Sequence, residues 1–292
     1  MKKLLISIVA VAAFYACTSK PVEKNTENVV EDTIAVSGLS RDSLLGSWVG
    51  NFTASESKDN IESSNKITLI IKNIQKDVVT GRSIVAGNDR PFYGKLIEKD
   101  GEFHLTLEEP GDDKYDGKFD IIFKGDLFEG SWESFNKNIN VTKRNFKLTK
   151  KAFVYDATAM LTDKDDLTDW HNEKLKKDTA TVDGKVEVYE NQYYRSASDA
   201  VYKINSSMQE LKESDLKNLR KLDLQILRNT IFARHGYSFK KETYRQFFDY
   251  VDWYVPISNN VEKELTSLEK KNIKLLEKFE KYAEDNYDTF GR

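Results

Sequence analysis

The spacing of apolar residues changes period once along this chain, and that change limits the fold more than any other feature. Lys66-Ile67-Thr68-Leu69-Ile70-Ile71, Glu102-Phe103-His104-Leu105-Thr106-Leu107, Lys118-Phe119-Asp120-Ile121-Ile122-Phe123 and Asn145-Phe146-Lys147-Leu148 follow the near-alternation of a strand with one buried face. Turn chemistry separates them, at Lys99-Asp100-Gly101, Pro110-Gly111-Asp112-Asp113 and Lys124-Gly125-Asp126. From about Leu216 the period lengthens. Leu216, Leu219, Leu222, Ile226, Leu227 and Ile231 share one helical face that stops at Gly236. Tyr244, Phe247, Phe248 and Val251 mark a second helix. A third opens on the capping-box pattern Thr266-Ser267-Leu268-Glu269 and places Leu265, Leu268, Leu275, Phe279 and Tyr282 along one face.

Strands that precede helices, without interleaving, predict α+β in separate domains. The expected architecture is an antiparallel β-barrel or sandwich over 41–153 and a small helical domain over 211–292. Residues 154–210 are charge-rich, with strand-like pieces at Val186-Glu187-Val188-Tyr189 and Tyr193-Tyr194, and read as a partly ordered connector. A loop that long is unusual inside one compact domain, which favours two.

The N-terminus reads as a targeting segment. Lys2 and Lys3 precede an apolar run from Leu4 to Ala16, broken only by Ser7. That run falls short of the roughly 20 residues needed to span a bilayer, so 1–16 is expected to be a secretory signal peptide. Phe14-Tyr15-Ala16-Cys17 resembles the lipobox of bacterial lipoproteins, with Phe14 and Tyr15 where that motif carries Leu and a small residue. The resemblance implies lipidation of Cys17, the only cysteine, and a lipoprotein anchored in the bacterial cell envelope, with the outer membrane the expected site. Residues 17–40 are polar, contain Pro21 and scatter their Val and Ile, as a flexible tether does. The formal charge of −3 becomes more negative once Lys2 and Lys3 are removed, which argues against nucleic acid as a partner.

Two further resemblances concern the folded regions. Gly46-Ser47-Trp48 is similar to the entry strand of lipocalin-like barrels, whose Trp plugs one end; Gly130-Ser131-Trp132 repeats the triplet near the end of the β-region. Leu227-Arg228-Asn229-Thr230-Ile231-Phe232-Ala233-Arg234-His235-Gly236-Tyr237 resembles the defining motif of the YARHG domain family, with Phe232 in place of the first Tyr. Asp252-Trp253-Tyr254-Val255-Pro256 and the stretch from Leu265 to Ile273 look like that family's later landmarks. The resemblance implies an extracellular bacterial module of no established molecular function.

Read physically, Arg228, Asn229, Arg234, Gly236 and Asn272 are expected to be structural. Arg234 stands seven residues after Leu227, on the apolar face, and needs a partner such as Asp249, Asp252 or Glu269. Asn272 is expected to satisfy backbone near the turn at Tyr254-Pro256. His235, at the helix end, can bond a terminal carbonyl. Trp253 and Tyr254, with Tyr237 and His235 nearby, are the candidate binding residues, either as an exposed aromatic shelf or as core.

No catalytic residue, metal ligand set or cofactor fingerprint is expected. His104, His171 and His235 lie in three separate segments with no second ligand at metal spacing. The acidic loop 108–117 echoes a calcium loop at Asp112 and Asp116, but Lys114 takes a ligand position and Phe123 stands where a bidentate Glu is required. The expected function is a non-catalytic binding or interaction module for peptidoglycan or another envelope protein. The alternatives are a carrier or sensor of a small apolar ligand held among Trp48, Phe103, Phe119, Phe123 and Trp132, and an enzyme with an unrecognised site.

Overall fold

The computed structural model describes residues 40–58, 63–164 and 167–284. The signal segment, Cys17 and all of the tether except Ser40 lie outside the described residues.

Eight antiparallel strands close into a barrel: β1 (Gly46–Ser57), β2 (Ser64–Gln75), β3 (Val78–Val85), β4 (Asn88–Lys99), β5 (Glu102–Glu108), β6 (Gly117–Phe123), β7 (Leu127–Ser134) and β8 (Val141–Lys150). Closure follows because β1 pairs with β2 on one side and β8 on the other, leaving no open edge. The turn at Asp100-Gly101 is the two-residue hairpin its sequence predicts, with φ of +54° and +77°, which matches the twist of the flanking strands.

The inward positions form one core. Ile67, Leu69 and Ile71 of β2, Phe103, Leu105 and Leu107 of β5, and Phe119, Ile121 and Phe123 of β6 are all buried. The two Gly-Ser-Trp triplets fall at opposite ends of this barrel. Trp48 closes one end: its ring stacks on Phe128 at 3.9 Å and its indole N–H donates to Leu44 O at 2.8 Å, from the one-turn helix Arg41–Leu44 that caps that end. Trp132 sits at the other end, edge-on to Phe52 at 5.6 Å. Trp48, Phe103, Phe123 and Phe128 pack on one another and fill the interior toward the Trp48 end, while Phe119 and Trp132 lie toward the other.

Beyond the barrel come the hairpin β9 (Lys174–Val182) and β10 (Lys185–Tyr193), then the helices α1 (Glu213–Leu216), α2 (Lys221–Arg234), α3 (Glu242–Phe248) and α4 (Ser267–Glu280). The first predicted helix is broken in two. Residues 217–220 interrupt it because Asp223 folds back to accept the Arg220 N–H at 2.9 Å, starting a new helix there, and also accepts from Ser198. The connector is divided in its role. Leu161, Leu167 and Val201 are buried in the helical core beside Leu222, Leu227, Phe248 and Leu276, whereas every residue of the hairpin is exposed.

The outer face of β2 and β3 docks on the helical region. Lys66 donates its backbone N–H to Asp249 Oδ2 at 3.0 Å and its ammonium to Val251 O at 2.7 Å. Gly87 N donates to Ser238 Oγ at 3.0 Å and Arg82 to Ile257 O at 3.3 Å. Burial draws the Lys66 ammonium down to about 8, against the attraction of Asp249.

Candidate functional site

The residues of the YARHG-like motif are consumed by architecture. Gly236 ends α2 at φ +71°, and a Cβ there would stand 2.5 Å from the Ile257 side chain, so glycine is required twice over. Arg228 grips Glu280 of α4 with two hydrogen bonds, at 2.5 and 3.2 Å, and Asn229 bonds back to Gln225 O.

Arg234 is buried, yet it does not take the carboxylate partner expected of it. It donates to Ala159 O at 2.7 Å and Ser207 Oγ at 3.0 Å, both from the connector. Two of the three expected carboxylates, Asp249 and Glu269, are already engaged. Asp249 accepts from the Lys66 backbone, while Glu269 accepts from His235 Nε2 at 2.8 Å, Thr266 N at 2.9 Å and Tyr155 OH at 3.1 Å. Burial alone would raise the Glu269 carboxyl, but the hydrogen bonds from His235, Thr266 and Ser207, with the field of His235, hold it at about 2. His235 therefore faces a carboxylate and stacks on Tyr155 at 4.3 Å, not on a helix-terminal carbonyl.

Asn272 serves a different turn from the one expected: it accepts from Leu211 N at 3.0 Å and donates to Ser206 O and Gln209 O at 2.8 Å. Tyr254 forms no shelf. It is 1% exposed and donates to Tyr237 O at 2.6 Å. Trp253 is half-buried, its indole N–H on Met160 O at 2.9 Å, and Tyr237 packs edge-on against Phe239. Of the four candidate binding residues, Tyr254 and His235 are buried in internal networks, and Trp253 and Tyr237 are partly covered.

The site that sequence spacing did not find is the open end of the barrel. Along most strands the inward register is apolar, but in the last residues toward this end it turns polar. Phe92 is preceded by Arg90, Leu107 is followed by Glu109, Phe146 is preceded by Arg144, and Ile67 by Asn65, each two positions away. Helix α3 supplies a further wall with Arg245, and the resulting cleft has a volume of about 890 Å³ over a floor of Phe52, Phe119 and Trp132. Amides of Asn88, Asn136 and Asn138 stand on its rim.

Its charges differ in how they are held. Glu109 is buried, accepting from Ser83 Oγ at 2.5 Å, Gly117 N at 2.9 Å and Trp132 Nε1 at 3.3 Å; burial raises its carboxyl despite those bonds. Arg90 is neutralised by Asp116 at 2.5 Å and Asp113 at 3.0 Å, which accounts for the acidic loop by an internal ion pair. Arg144 is different. Its Nη1 donates to Phe52 O at 2.8 Å and Ser63 O at 3.1 Å, and its guanidinium lies 5.2 Å over the Phe52 ring. Burial and then the charge of Arg245 draw it down to about 10. Among the described residues no carboxylate pairs with it. A search for charged residues two places from buried aromatics at strand ends would have found Arg90 and Arg144; nothing local marks Arg245.

Residues 200–281 match the YARHG domain, so the matched segment begins earlier than the motif and includes the 206–211 turn that Asn272 ties down. No curated protein and no solved structure matches the chain.

Proposed function

We propose that this chain, a β-barrel followed by a YARHG domain, is an envelope-tethered, non-catalytic binding protein whose ligand site is the cleft at the barrel mouth. One observation carries the reading: at the end of the barrel away from Trp48 the inward register passes from apolar to Arg90, Glu109 and Arg144, and Arg245 of α3 joins them around a cleft based on Phe52, Phe119 and Trp132. A pocket with an apolar base and a few fixed polar groups is the usual form of a small-molecule site. The filled interior argues against a ligand deep in the barrel, so the mouth replaces it as the place for a carried or sensed molecule. Lipidation of Cys17 and envelope anchoring complete the reading and rest on the lipobox resemblance.

Native mass spectrometry on the chain purified from its own envelope tests the site. A small molecule retained by the wild type and lost from a folded Trp132→Ala variant supports it; an identical occupancy in both overturns it. Metabolic labelling with palmitate, set against Cys17→Ser, tests the anchor, and equal labelling of both chains removes it from the proposal.

A second reading, attachment to peptidoglycan or an envelope protein, draws on the hairpin β9–β10. Its residues are exposed throughout, including Val186, Val188 and Tyr189, and Trp170 near its base is 58% exposed against Tyr194 at 4.9 Å. Loss of peptidoglycan or envelope-protein retention on removal of 174–193, with the cleft intact, would favour this reading.

A further inference from the structure

We infer that the cleft takes a small organic anion, its carboxylate, sulfonate or phosphate seated between Arg144 and Arg245 and its flat apolar portion lying against the edges of Phe52 and Trp132. The inference rests on the proposal that the cleft is the binding site and goes on to name the ligand's chemistry.

The geometry gathers two guanidinium groups over the entry to β2. Arg144 is fastened there by Ser63 O at 3.1 Å, just before β2, and Arg245 by Asn65 Oδ1 at 3.1 Å, two residues further along the chain. Both line the same cleft and the charge of Arg245 acts on Arg144, a repulsion that an anion between them relieves. Arg245 is engaged at each nitrogen, Nε on Asn65, Nη1 on Lys240 O and Nη2 toward Glu242 at 3.4 Å, so it contributes positive charge while the open donors are those of Arg144. Arg144 uses only Nη1 on protein acceptors, so its Nε and Nη2 hydrogens have no partner among the described residues and offer the paired donor edge that suits a carboxylate or phosphate.

Lys240, also on the cleft wall, adds to the positive field. The cations that do have carboxylate partners, such as Arg90, are held on Asp116 and Asp113. An anion therefore finds donors already positioned and already desolvated on one side, at little cost in reorganisation. Phe52, under the Arg144 guanidinium, and Trp132, edge-on to Phe52, are 4% and 5% exposed and form only the base of the cleft, so a ring or short acyl body meets their edges and the apolar wall of Val85, Ala86 and Ile139.

The test uses the purified full-length chain and three probes: anilinonaphthalene sulfonate, which has the charge and the rings; phenylnaphthylamine, which has the rings alone; and inorganic phosphate, which has the charge alone. The expected result is saturable binding of the sulfonate at least about tenfold tighter than the amine, displaced by phosphate, and weakened as ionic strength rises. Arg144→Gln and Arg245→Gln are each expected to weaken sulfonate binding about tenfold or more and to leave the amine unchanged, while Lys147→Gln on the outer wall changes neither. The salt dependence reads the same interaction in the wild type, so the test survives a variant that fails to fold. Equal affinity for the two dyes, or arginine variants that bind the sulfonate as the wild type does, would overturn the anionic ligand and leave the cleft as an apolar site. Binding of neither dye would instead remove the cleft from the proposed function.

Discussion

The helical region and the barrel mouth both bury charge, and they treat it in opposite ways. Around α2 and α4 each charged or amide side chain of the motif ends on a partner from within the fold: Arg228 on Glu280, Glu269 on His235 and Tyr155, Arg234 on Ala159 and Ser207, Asn272 on the 206–211 turn. At the mouth, Arg144 ends on backbone carbonyls and keeps donors to spare. A satisfied network fixes one arrangement of helices and has nothing left to offer a ligand. The more conspicuous motif is thus the poorer candidate for recognition, and the less conspicuous strand ends are the better one.

Breaking the satisfied network is expected to have the largest effect. Asn272→Leu leaves Leu211 N, Ser206 O and Gln209 O without partners in a buried turn, which costs about 3 kcal/mol or more. A urea midpoint close to the wild type would show that this turn is not held as described.

Glu269→Gln comes next. Its carboxyl stands at about 2 in the fold against 4.5 unfolded, so the folded state prefers the ionised form. The stability it lends is present above about pH 4.5 and is lost as pH falls toward about 2. The loss amounts to no more than about 3 kcal/mol, and the variant is expected to flatten that acid limb in a series of unfolding curves. An unchanged limb would assign the acid sensitivity elsewhere.

Asp249 has the opposite sign and a smaller effect. Burial raises its carboxyl to about 6, against the bond from the Lys66 backbone and the charges of Arg245 and Lys66. The fold prefers the protonated form, so the stability it lends is complete below its unfolded value of 3.8 and is lost as pH rises through about 6. Asp249→Asn keeps an acceptor for Lys66 N–H and is expected to gain about 1 kcal/mol at neutral pH and to lose the slope between pH 4 and 6. A loss of stability at neutral pH would mean that the charge itself binds the two regions together.

Arg144→Gln is expected to change least, within about 1 kcal/mol by thermal unfolding, because only two carbonyl bonds are affected. A change as large as that of Asn272→Leu would erase the contrast between mouth and module, and with it the reason for reading the mouth as a site.

Much of the fold was legible in local pattern. The near-alternating segments are strands, Asp100-Gly101 is a two-residue turn, Gly236 terminates α2, and Thr266 caps α4 through the expected reciprocal bonds with Glu269. The misreadings of helix faces and helix boundaries have one cause. Apolar periodicity placed Tyr282 on the buried face of the third helix, yet it lies past the end of α4 and is 71% exposed, and the buried face is centred on Glu269, Asn272, Ile273 and Leu276. Two of those four are polar, and a hydrophobic pattern does not count them. The break between α1 and α2 was missed for the same reason, since Asp223 acts through hydrogen bonds to Arg220 and Ser198.

The candidate site was legible only in part. Arg90 and Arg144 sit in register with buried aromatics of their own strands, and alternation alone puts their side chains toward the barrel axis. Arg245 meets Asn65 across 180 residues, and Arg144 meets Ser63 across 81. The sequence by itself determined the strands, their turns, the helix caps and the order in which barrel and helices follow one another, since each depends on periods and pairs a few residues long. Tertiary structure alone decided which buried charges would be satisfied and which left with open donors, because that depends on barrel closure and on how α3 docks against the start of β2.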